Sequence, residues 1–524
     1  MQRFLLKLNA SRAEGRFRSL LLLALLLSTA CARPPSPYHS PDVAGCDRLI
    51  AQVDRVTGGE PHNAAYFRIQ DFPYLRFDRF LAGLIPRLNS EATRQAWLGR
   101  LRELDREARR AEMAALDDGQ IEAIADTIEL PPDRTTLERR VFACTDRLFS
   151  AAARQPQFAE TVAAAIRVPS EYQTWRRAVG LYPLFAVPVS AVSDRAFDRF
   201  RERHSLPVES LPVSGERLAF VPDLRPPIEA RNLLHPDPLD ELGIPRISET
   251  DLLGLAALYA PVIVQEISAD YDRIGRIGWH DGSIRVDGTR PTAYVYLTHG
   301  FLGSGITLQI NYTFWYPARD GANSPWFERG PLDGITVRVT LDPEGLPFMV
   351  DVMNNCGCYH FYVPDRDRTA EVRNPVYGPR TLVPSWLPAE FPSERLKLFV
   401  NSGWHQVDHV TSENISTPTE VYELRPYRTL EVLPYGNEGS RSLFDCRGIG
   451  RGSGRIEPLI FFSMGIPSVG SMRQRGHHAI KLVGTEHFDD PGLFDRWFEF
   501  RSASPVPTEP TGLLKNHGRQ EMNP

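Results

Sequence analysis

Cys356, Cys358 and His360 follow one another at two-residue intervals in the stretch DVMNNCGCYHFYVP, residues 351–364. Thiolate and imidazole are ligands that zinc prefers, and every second side chain of a β-strand points to the same face. Two strand steps cover roughly 6.6 Å, so all three groups could reach one ion only if the chain bends at Gly357. A glycine within a strand often marks such a bulge. The stretch therefore predicts part of a metal site, with zinc as the possible ion, which needs a further ligand from elsewhere in the chain.

His405 and His409 are the candidates for that further ligand. They lie four residues apart in GWHQVDHV, and this spacing places both on one face of a strand or of a helix. Other arrangements compete with a metal site in an oxidising compartment. Cys356 and Cys358 can close a small, strained disulfide, or one of them can pair with Cys446. The spacing alone leaves these alternatives open.

The surroundings of the two thiols can be predicted from the polar residues beside them. A strand that is buried on both faces favours Val, Ile and Leu, whereas this run contains Asn354 and Asn355. Buried polar groups that lack a partner cost about 1–3 kcal/mol each. We therefore expect a strand end that is kinked at Gly357 and faces a cleft. The nearest polar neighbour of one thiol should be a sulfur or a histidine nitrogen, from His360, His405, His409 or Cys446.

The first 31 residues predict export. Three arginines precede an apolar run over residues 20–27, which is shorter than the roughly 20 residues that span a bilayer. A basic flank, a short apolar run and small residues are typical of a secretory signal. The sequence STAC resembles a bacterial lipobox, which implies cleavage before Cys31 and attachment of lipid there. Ordinary cleavage after Ala32 is the alternative. We expect an outer-membrane lipoprotein of the cell envelope, whose first partner is the membrane that holds its lipid.

Composition limits the partners that can be expected. The formal net charge of the 524-residue chain is −5, which argues against a nucleic-acid surface. Hydrophobic residues make up 42% of the chain and charged residues 24%, as in ordinary globular proteins. No segment after the signal is long and apolar enough to cross a membrane. The sequence therefore predicts a globular body on an N-terminal anchor, without a nucleic-acid partner.

The rest of the chain divides into five parts. They are a Pro-rich tether (32–45), a helical domain (46–204), a Pro-rich connector (205–247), a β-rich domain (248–500) and a disordered tail (501–524). In residues 336–341, Val and Leu alternate with Thr and Arg, as in a half-buried strand. The predicted fold is α+β, with a helical N-terminal domain followed by a sandwich-like, mainly antiparallel β-rich domain.

Cys46 and Cys144 both fall in the predicted helical domain. Cys144 shares an apolar helix face with Leu137, Val141 and Leu148, and Cys46 opens the first helix. We predict a disulfide between them, and two separate buried thiols are the alternative. A disulfide that closes a loop of about 100 residues should stabilise the fold by on the order of 4 kcal/mol.

Four segments stand out in the strand-rich half: LQINYTFWYPAR, GPLDGITVRVTLDPEGLP, NNCGCYHFYVP and RGHHAIKLVGTEHFDDP. They resemble an uncharacterised family of exported proteobacterial proteins that includes lipoproteins. The resemblance covers roughly residues 250–495. It implies a place in the cell envelope, and it transfers no activity and no catalytic residue.

Two classes of function follow as hypotheses. The first is a binding or structural module of the envelope, which holds a protein, glycan or lipid partner and needs no catalytic residues. The alternative is a metal-dependent hydrolase or metal-handling protein that uses the Cys/His site of the β-rich domain. The alternative requires that Cys356, Cys358 or His360 converges with a distant histidine within a few ångströms, whereas the first hypothesis does not.

Overall fold

The computed structural model describes residues 43–59, 62–127, 131–223, 240–436 and 439–501. The predicted signal peptide with Cys31, most of the Pro-rich tether, the middle of the connector and nearly all of the predicted tail lie outside these ranges. Within the described ranges, no helix has the length and apolar character that a membrane crossing requires.

The described residues form eleven α-helices. Eight of them precede the large sheet: α1 Ala44–Val56, α2 Arg79–Gly83, α3 Glu91–Ala114, α4 Asp118–Thr127, α5 Arg134–Ala152, α6 Phe158–Ala165, α7 Thr174–Val179 and α8 Tyr182–Ser205. The others are α9 Glu249–Tyr259, α10 Glu457–Ile460 and α11 Leu493–Trp497. Local chemistry sets the helix starts. Ser90 and Thr93 form a reciprocal capping box before α3, and Asp133 accepts the Thr136 backbone N–H before α5.

Eighteen strands lie in the described part of the chain. A hairpin among the early helices contains β1 Phe67–Ile69 and β2 Phe72–Phe77. The later strands are β3 Glu216–Pro222, β4 Val262–Ile267, β5 Arg276–His280, β6 Ser283–Asp287, β7 Thr292–Leu302, β8 Gly305–Arg319, β9 Gly330–Leu341, β10 Pro347–Asn354, β11 Phe361–Pro364, β12 Thr369–Val372, β13 Lys397–Val400, β14 Val407–Thr411, β15 Thr419–Pro426, β16 Leu433–Tyr435, β17 Gly439–Arg441 and β18 Phe498–Phe500.

Ten of these strands form one curled, mixed sheet in the order β11-β10-β9-β8-β7-β15-β3-β4-β13-β14. Strand β15 runs parallel to both β7 and β3, and β13 runs parallel to β4. The other neighbours within this sheet are antiparallel. The predicted α+β class is confirmed, whereas the sandwich and the division into two domains remain predictions.

The helices between residues 44 and 165 enclose a second core, to which Ile244 and Phe301 from later in the chain also belong. Trp97, Leu101 and Val141 are fully buried in it, together with the β1–β2 hairpin. The Cys46–Cys144 disulfide lies in this core and joins α1 to α5 across 98 residues of sequence. The predicted disulfide is therefore confirmed, since the apolar helix face that carries Cys144 meets the start of α1.

Both faces of the large sheet are covered. Val337, Val339 and Val350 belong to the main core on one face. On the other face Arg338 is only 1% exposed, because Asp351 of the neighbouring strand and the carbonyl oxygen of Phe488 accept its guanidinium hydrogen bonds. The alternation over residues 336–341 suggested a half-buried strand, and that inference is wrong because residues 478–498 pack over the polar side chains.

The stretch that the sequence suggested as a Pro-rich connector contains a central strand. Strand β3 lies between β15 and β4, and Ala219 pairs with both Thr419 and Val264. Phe220 is fully buried in the main core. Residues 224–239 of this stretch fall outside the described chain. The connector therefore enters the sheet rather than only crossing a surface.

Candidate functional site

The Cys-Gly-Cys sequence forms a tight turn between β10 and β11. Strand β10 ends at Asn354, and Gly357 has φ +90°, in the left-handed region that favours glycine. A Cβ at Gly357 would lie 2.3 Å from the carbonyl oxygen of Ala479, so no larger residue fits without movement of the backbone. The predicted kink at Gly357 is present. It turns the three candidate ligands out of the single strand face on which the sequence placed them.

The two thiols of this turn are neighbours. The backbone N–H of Cys358 donates to Cys356 Sγ at 3.4 Å. Cys356 is 4% exposed, and Cys358 is partly exposed. The hydrogen bond that Cys356 Sγ accepts therefore comes from the backbone of the other cysteine, and not from His360, His405, His409 or Cys446 as the sequence led us to expect; Cys446 is an exposed free thiol.

A cavity of about 350 Å³ opens beside this turn. Helix α8 forms one wall, and residues 356–360 and 479–483 form the opposite wall. Most of the lining is apolar, with Val189, Val192, Ala196, Phe197, Phe461, Ile466 and Leu482 among its side chains. Small-molecule sites in proteins typically occupy roughly 300–1,000 Å³ and are lined mainly by apolar groups. This cavity therefore has the size and lining of a ligand site.

Three carboxyl groups line the cavity, those of Glu328, Glu457 and Glu486. Glu457, from the first turn of α10, is 5% exposed, and its burial among apolar groups raises its pKa to about 8. The nearby thiol of Cys356 and the carboxylate of Glu328 raise this pKa further. At neutral pH the Glu457 carboxyl is mostly protonated, so it can donate an O–H hydrogen bond into an otherwise apolar space.

The pKa values of the two thiols shift in opposite directions. Burial opposes ionisation of Cys356, but the thiol of Cys358 and the guanidinium of Arg319 favour its thiolate and lower its pKa. The hydrogen bond to Cys356, together with burial, raises the pKa of Cys358 well above its usual value. The pair therefore holds a single negative charge more readily than two.

Glu328 connects the turn to the sheet behind it. It accepts a hydrogen bond from the Tyr359 hydroxyl, one from Arg319 Nη1 at 2.6 Å and one from Trp404 Nε1 at 2.9 Å. Arg319 also donates from Nε to Asp333 Oδ2 at 2.9 Å. These groups are buried and paired, so they fix the position of the turn at a low dielectric.

His405 continues this network away from the cavity. Its Nδ1 lies 2.8 Å from Asp333 Oδ2 and its Nε2 lies 3.2 Å from Asp272 Oδ1. The ring is fully buried and stacks on Tyr316 with 3.9 Å between ring centroids. Burial alone would lower the pKa of His405, but the two carboxylates outweigh it and raise the pKa. His405 therefore links two aspartates in the interior, and both carboxylates favour the charged form of its ring.

The predicted metal ligands are not brought together. His360 lines the cavity, but its Nε2 lies 2.7 Å from Asp351 Oδ2 in the Arg338 network. His409 lies on β14, where its Nδ1 is 3.1 Å from the backbone oxygen of His204. Among the described residues, no group of three or more His, Cys, Asp or Glu side chains is arranged to hold a metal ion. The cavity thus contains Cys356, Cys358 and His360 without the distant histidines.

Residues that sequence reasoning did not select complete the site. Glu328 and Glu457 stood in no recognisable motif. Helix α8 had a visible signal, because LYPLFAVPVSAV lacks the charged face of an ordinary surface helix. Pro188 lies within this helix and lines the cavity.

An exposed apolar patch surrounds the α7–α8 side of the cavity. We call it the apolar surface, and it consists of seven side chains that are 47–71% exposed: Trp175, Val179, Leu181, Leu184, Phe185, Val187 and Val192. Trp175 packs edge-on against Phe462, which follows α10 directly. Contiguous exposed apolar patches mark sites of contact with a partner, a ligand or a membrane.

Comparison with known proteins adds no relative to this description. The resemblance of residues 250–495 to exported proteobacterial proteins therefore remains a prediction, and a function can be inferred only from the geometry of the cavity. No protein-family model, no curated protein and no solved structure matches the chain.

Proposed function

We propose that this protein is an exported, lipid-anchored module of the cell envelope that binds an acyl chain in the cavity between α8 and the Cys-Gly-Cys turn. The observation that carries the proposal is the apolar cavity of about 350 Å³, with a protonated carboxyl at its wall. Burial of apolar ligand surface contributes roughly 25 cal/mol per Å², so a hydrocarbon chain gains most from such a lining.

Glu457 supports an acyl ligand rather than a hydrocarbon without a head group. Since the pKa of Glu457 is about 8, its carboxyl is mostly neutral at pH 7 and can donate to a carbonyl oxygen of an ester or a fatty acid. A cationic or strongly polar ligand would place its charge against the apolar side chains that form most of the wall, such as Val189 and Leu482. Burial of charge against apolar groups is unfavourable.

The apolar surface supports delivery of this ligand from a membrane. Exposed Leu184 and Phe185 lie on α8, whose later residues line the cavity, and exposed Trp175 on α7 packs against Phe462, next to the wall residue Phe461. Aromatic and aliphatic side chains on a helix favour the boundary between head groups and acyl chains. The predicted lipid on Cys31 would hold the body close to such a boundary. The membrane is therefore the source of ligand that we propose.

The alternative of a metal-dependent hydrolase or metal-handling protein has no observation in its favour. His405 is engaged by two aspartates, and His409 faces the backbone at the end of α8. The hypothesis required a distant histidine beside the Cys-Gly-Cys turn. The described residues do not place one there.

Ligand binding can be tested with one cavity variant and one matched control. Ala196 and Ala191 both lie on α8, but Ala196 lines the cavity and Ala191 is exposed. Ala196→Trp should fill the cavity and weaken binding of a dansyl-labelled fatty acid by about tenfold or more, which corresponds to about 1.4 kcal/mol. Ala191→Trp should leave the affinity unchanged. Equal affinities of the two variants, or no binding by the wild type, would contradict the proposal.

The source of the ligand can be tested on protein purified from its native membrane. Organic extraction followed by mass spectrometry should recover a phospholipid in wild-type protein and less of it in Ala196→Trp. Recovery of free fatty acid instead would keep the acyl site and reject the membrane phospholipid as its source.

The proposed anchor can be tested separately from the cavity. Cys31→Ser should release the protein in soluble form, and labelled palmitate should enter the wild type but not the variant. If labelled palmitate never enters the wild type, the lipid anchor is wrong, whatever the cavity binds.

A further inference from the structure

The two cysteines of the turn differ from the other described cysteines in position. Cys46 and Cys144 are joined in a buried core, and Cys446 is exposed and single. Only Gly357 separates Cys356 from Cys358, and both cysteines line the cavity as free thiols. We infer that Cys356 and Cys358 form a redox-active dithiol, which reversibly exchanges electrons with small disulfides such as glutathione disulfide.

The backbone holds the two sulfurs side by side. Gly357 reverses the chain at φ +90°, and its position against the Ala479 carbonyl admits no side chain. Cys356 Sγ already accepts the backbone N–H of Cys358 at 3.4 Å, so it lies beside the second cysteine. Closing the disulfide therefore requires a local adjustment of two side chains rather than a movement of the sheet. Strained disulfides have more oxidising potentials than structural ones, so closure of this small ring should be reversible.

The two thiols differ in access, and this difference assigns their roles. Cys358 is the more exposed of the two and stands at the cavity wall, where a small disulfide can reach it. Cys356 is 4% exposed and lies near the Arg319 guanidinium, which favours its thiolate. Cys358 is therefore the thiol that meets the oxidant, and Cys356 is the one that resolves the mixed disulfide.

The exchange balances in two steps. The Cys356 thiolate takes the proton of the Cys358 thiol, and the sulfur of Cys358 attacks one sulfur of the disulfide RSSR. The S–S bond of RSSR breaks, one RS⁻ leaves, and a Cys358–SR mixed disulfide forms. Cys356 then loses its proton to solvent and attacks the Cys358 sulfur, which releases the second RS⁻. Two electrons pass from the pair to RSSR, and the products are the Cys356–Cys358 disulfide and two RSH after protonation.

The experiment uses the full mature chain with Cys446→Ser, which removes the exposed single thiol. The protein is equilibrated in mixtures of glutathione and glutathione disulfide, quenched with N-ethylmaleimide, digested without reductant and measured by mass spectrometry. As the share of glutathione disulfide rises, the peptide with Cys356 and Cys358 should lose two hydrogens and retain no glutathione. Return to excess glutathione should restore both thiols. This reading needs no acyl ligand, so it is separate from the test of binding.

Two further variants distinguish a dithiol from a single reactive thiol. Cys356→Ser should stop at a glutathione adduct on Cys358, which forms more slowly because solvent must take the proton that Cys356 takes in the wild type, whereas Cys358→Ser should gain little adduct because Cys356 is buried. Far-UV circular dichroism of each variant beside the wild type reports whether it is folded. The inference is overturned if the wild-type peptide keeps both thiols alkylatable at every ratio, or if it retains a glutathione adduct instead of closing.

Discussion

The two cysteine pairs of this protein lie in regions that were assembled in different ways. Cys46 and Cys144 are 98 residues apart, on two helices whose apolar faces meet in one core. Cys356 and Cys358 are two residues apart, in a turn whose surroundings come from α8, α10 and residues 479–483. The distant pair is a covalent support for the fold, whereas the adjacent pair faces a space that a ligand can enter. Proximity in sequence therefore says little about which cysteines are structural.

The largest effect should come from removing the distant pair. Replacing Cys46 and Cys144 together by Ala should lower the free energy of unfolding by about 4–5 kcal/mol, because the unfolded chain regains the freedom of a 98-residue loop. Urea denaturation followed by far-UV circular dichroism would measure it. If this loss of stability were no larger than the loss caused by replacing Cys358, the two cysteine pairs would not differ in their contribution to the stability of the fold.

The network behind the turn should be nearly as sensitive. Arg319→Met leaves Asp333 and Glu328 buried without their shared cation, which should cost about 3–5 kcal/mol. The matched control is Arg329→Met at an exposed position, which should change stability by less than about 0.5 kcal/mol. Thermal unfolding of both variants distinguishes a buried charge network from a surface charge effect.

Glu457 should make the stability of the cavity region depend on pH between about 4.5 and 8. The pKa of Glu457 is raised from 4.5 to about 8 in the folded protein, so the fold is favoured while the carboxyl is neutral. This advantage is complete below about pH 4.5 and is lost as the pH rises to about 8. Glu457→Gln should match the wild type at pH 4.5 and exceed its stability at pH 8.5 by up to a few kcal/mol.

The control for this pH effect is Glu413→Gln, at an exposed residue outside the cavity. It should follow the wild type at both pH values in chemical denaturation. A gain at pH 8.5 that is equal in the two variants would show that net charge, and not the burial of Glu457, sets the difference.

The smallest effect should come from the adjacent pair. Cys358→Ala removes one partly exposed thiol and keeps the backbone N–H that donates to Cys356 Sγ, so stability should fall by about 1 kcal/mol or less. The same urea titration measures it beside the Cys46 and Cys144 double variant. A loss of several kcal/mol would mean that the adjacent pair also supports the fold.

The structural features that the sequence predicted correctly are determined by residues that lie close together in the sequence. The helical period placed Cys144 on the face that meets Cys46. The glycine between two cysteines predicted a kink, and the polar run around it predicted a cleft. Each of these features depends on residues within one or two turns of chain.

The parts that could not be predicted depend on distant residues. His405 appeared as a metal ligand because nothing near it in sequence reveals that Asp272 and Asp333 hold its ring. Arg338 looked exposed because the segment that covers it begins some 140 residues later, near His478. The cavity itself needs α8 to lie across β11 and the 479–483 segment. The spacing of residues along the chain does not reveal contacts between segments that are distant in sequence.

The position of β3 in the sheet affects the order in which the chain is synthesised, exported and folded. Its residue Ala219 pairs with Thr419, so the middle of the sheet stays open until two hundred further residues have been made. Contacts so distant in sequence form slowly. If the N-terminal signal directs export as proposed, translocation can begin while the sheet lacks its centre. The topology then delays folding of the sheet. The chain therefore stays unfolded enough to be translocated until it reaches the compartment in which Cys46 and Cys144 can be oxidised.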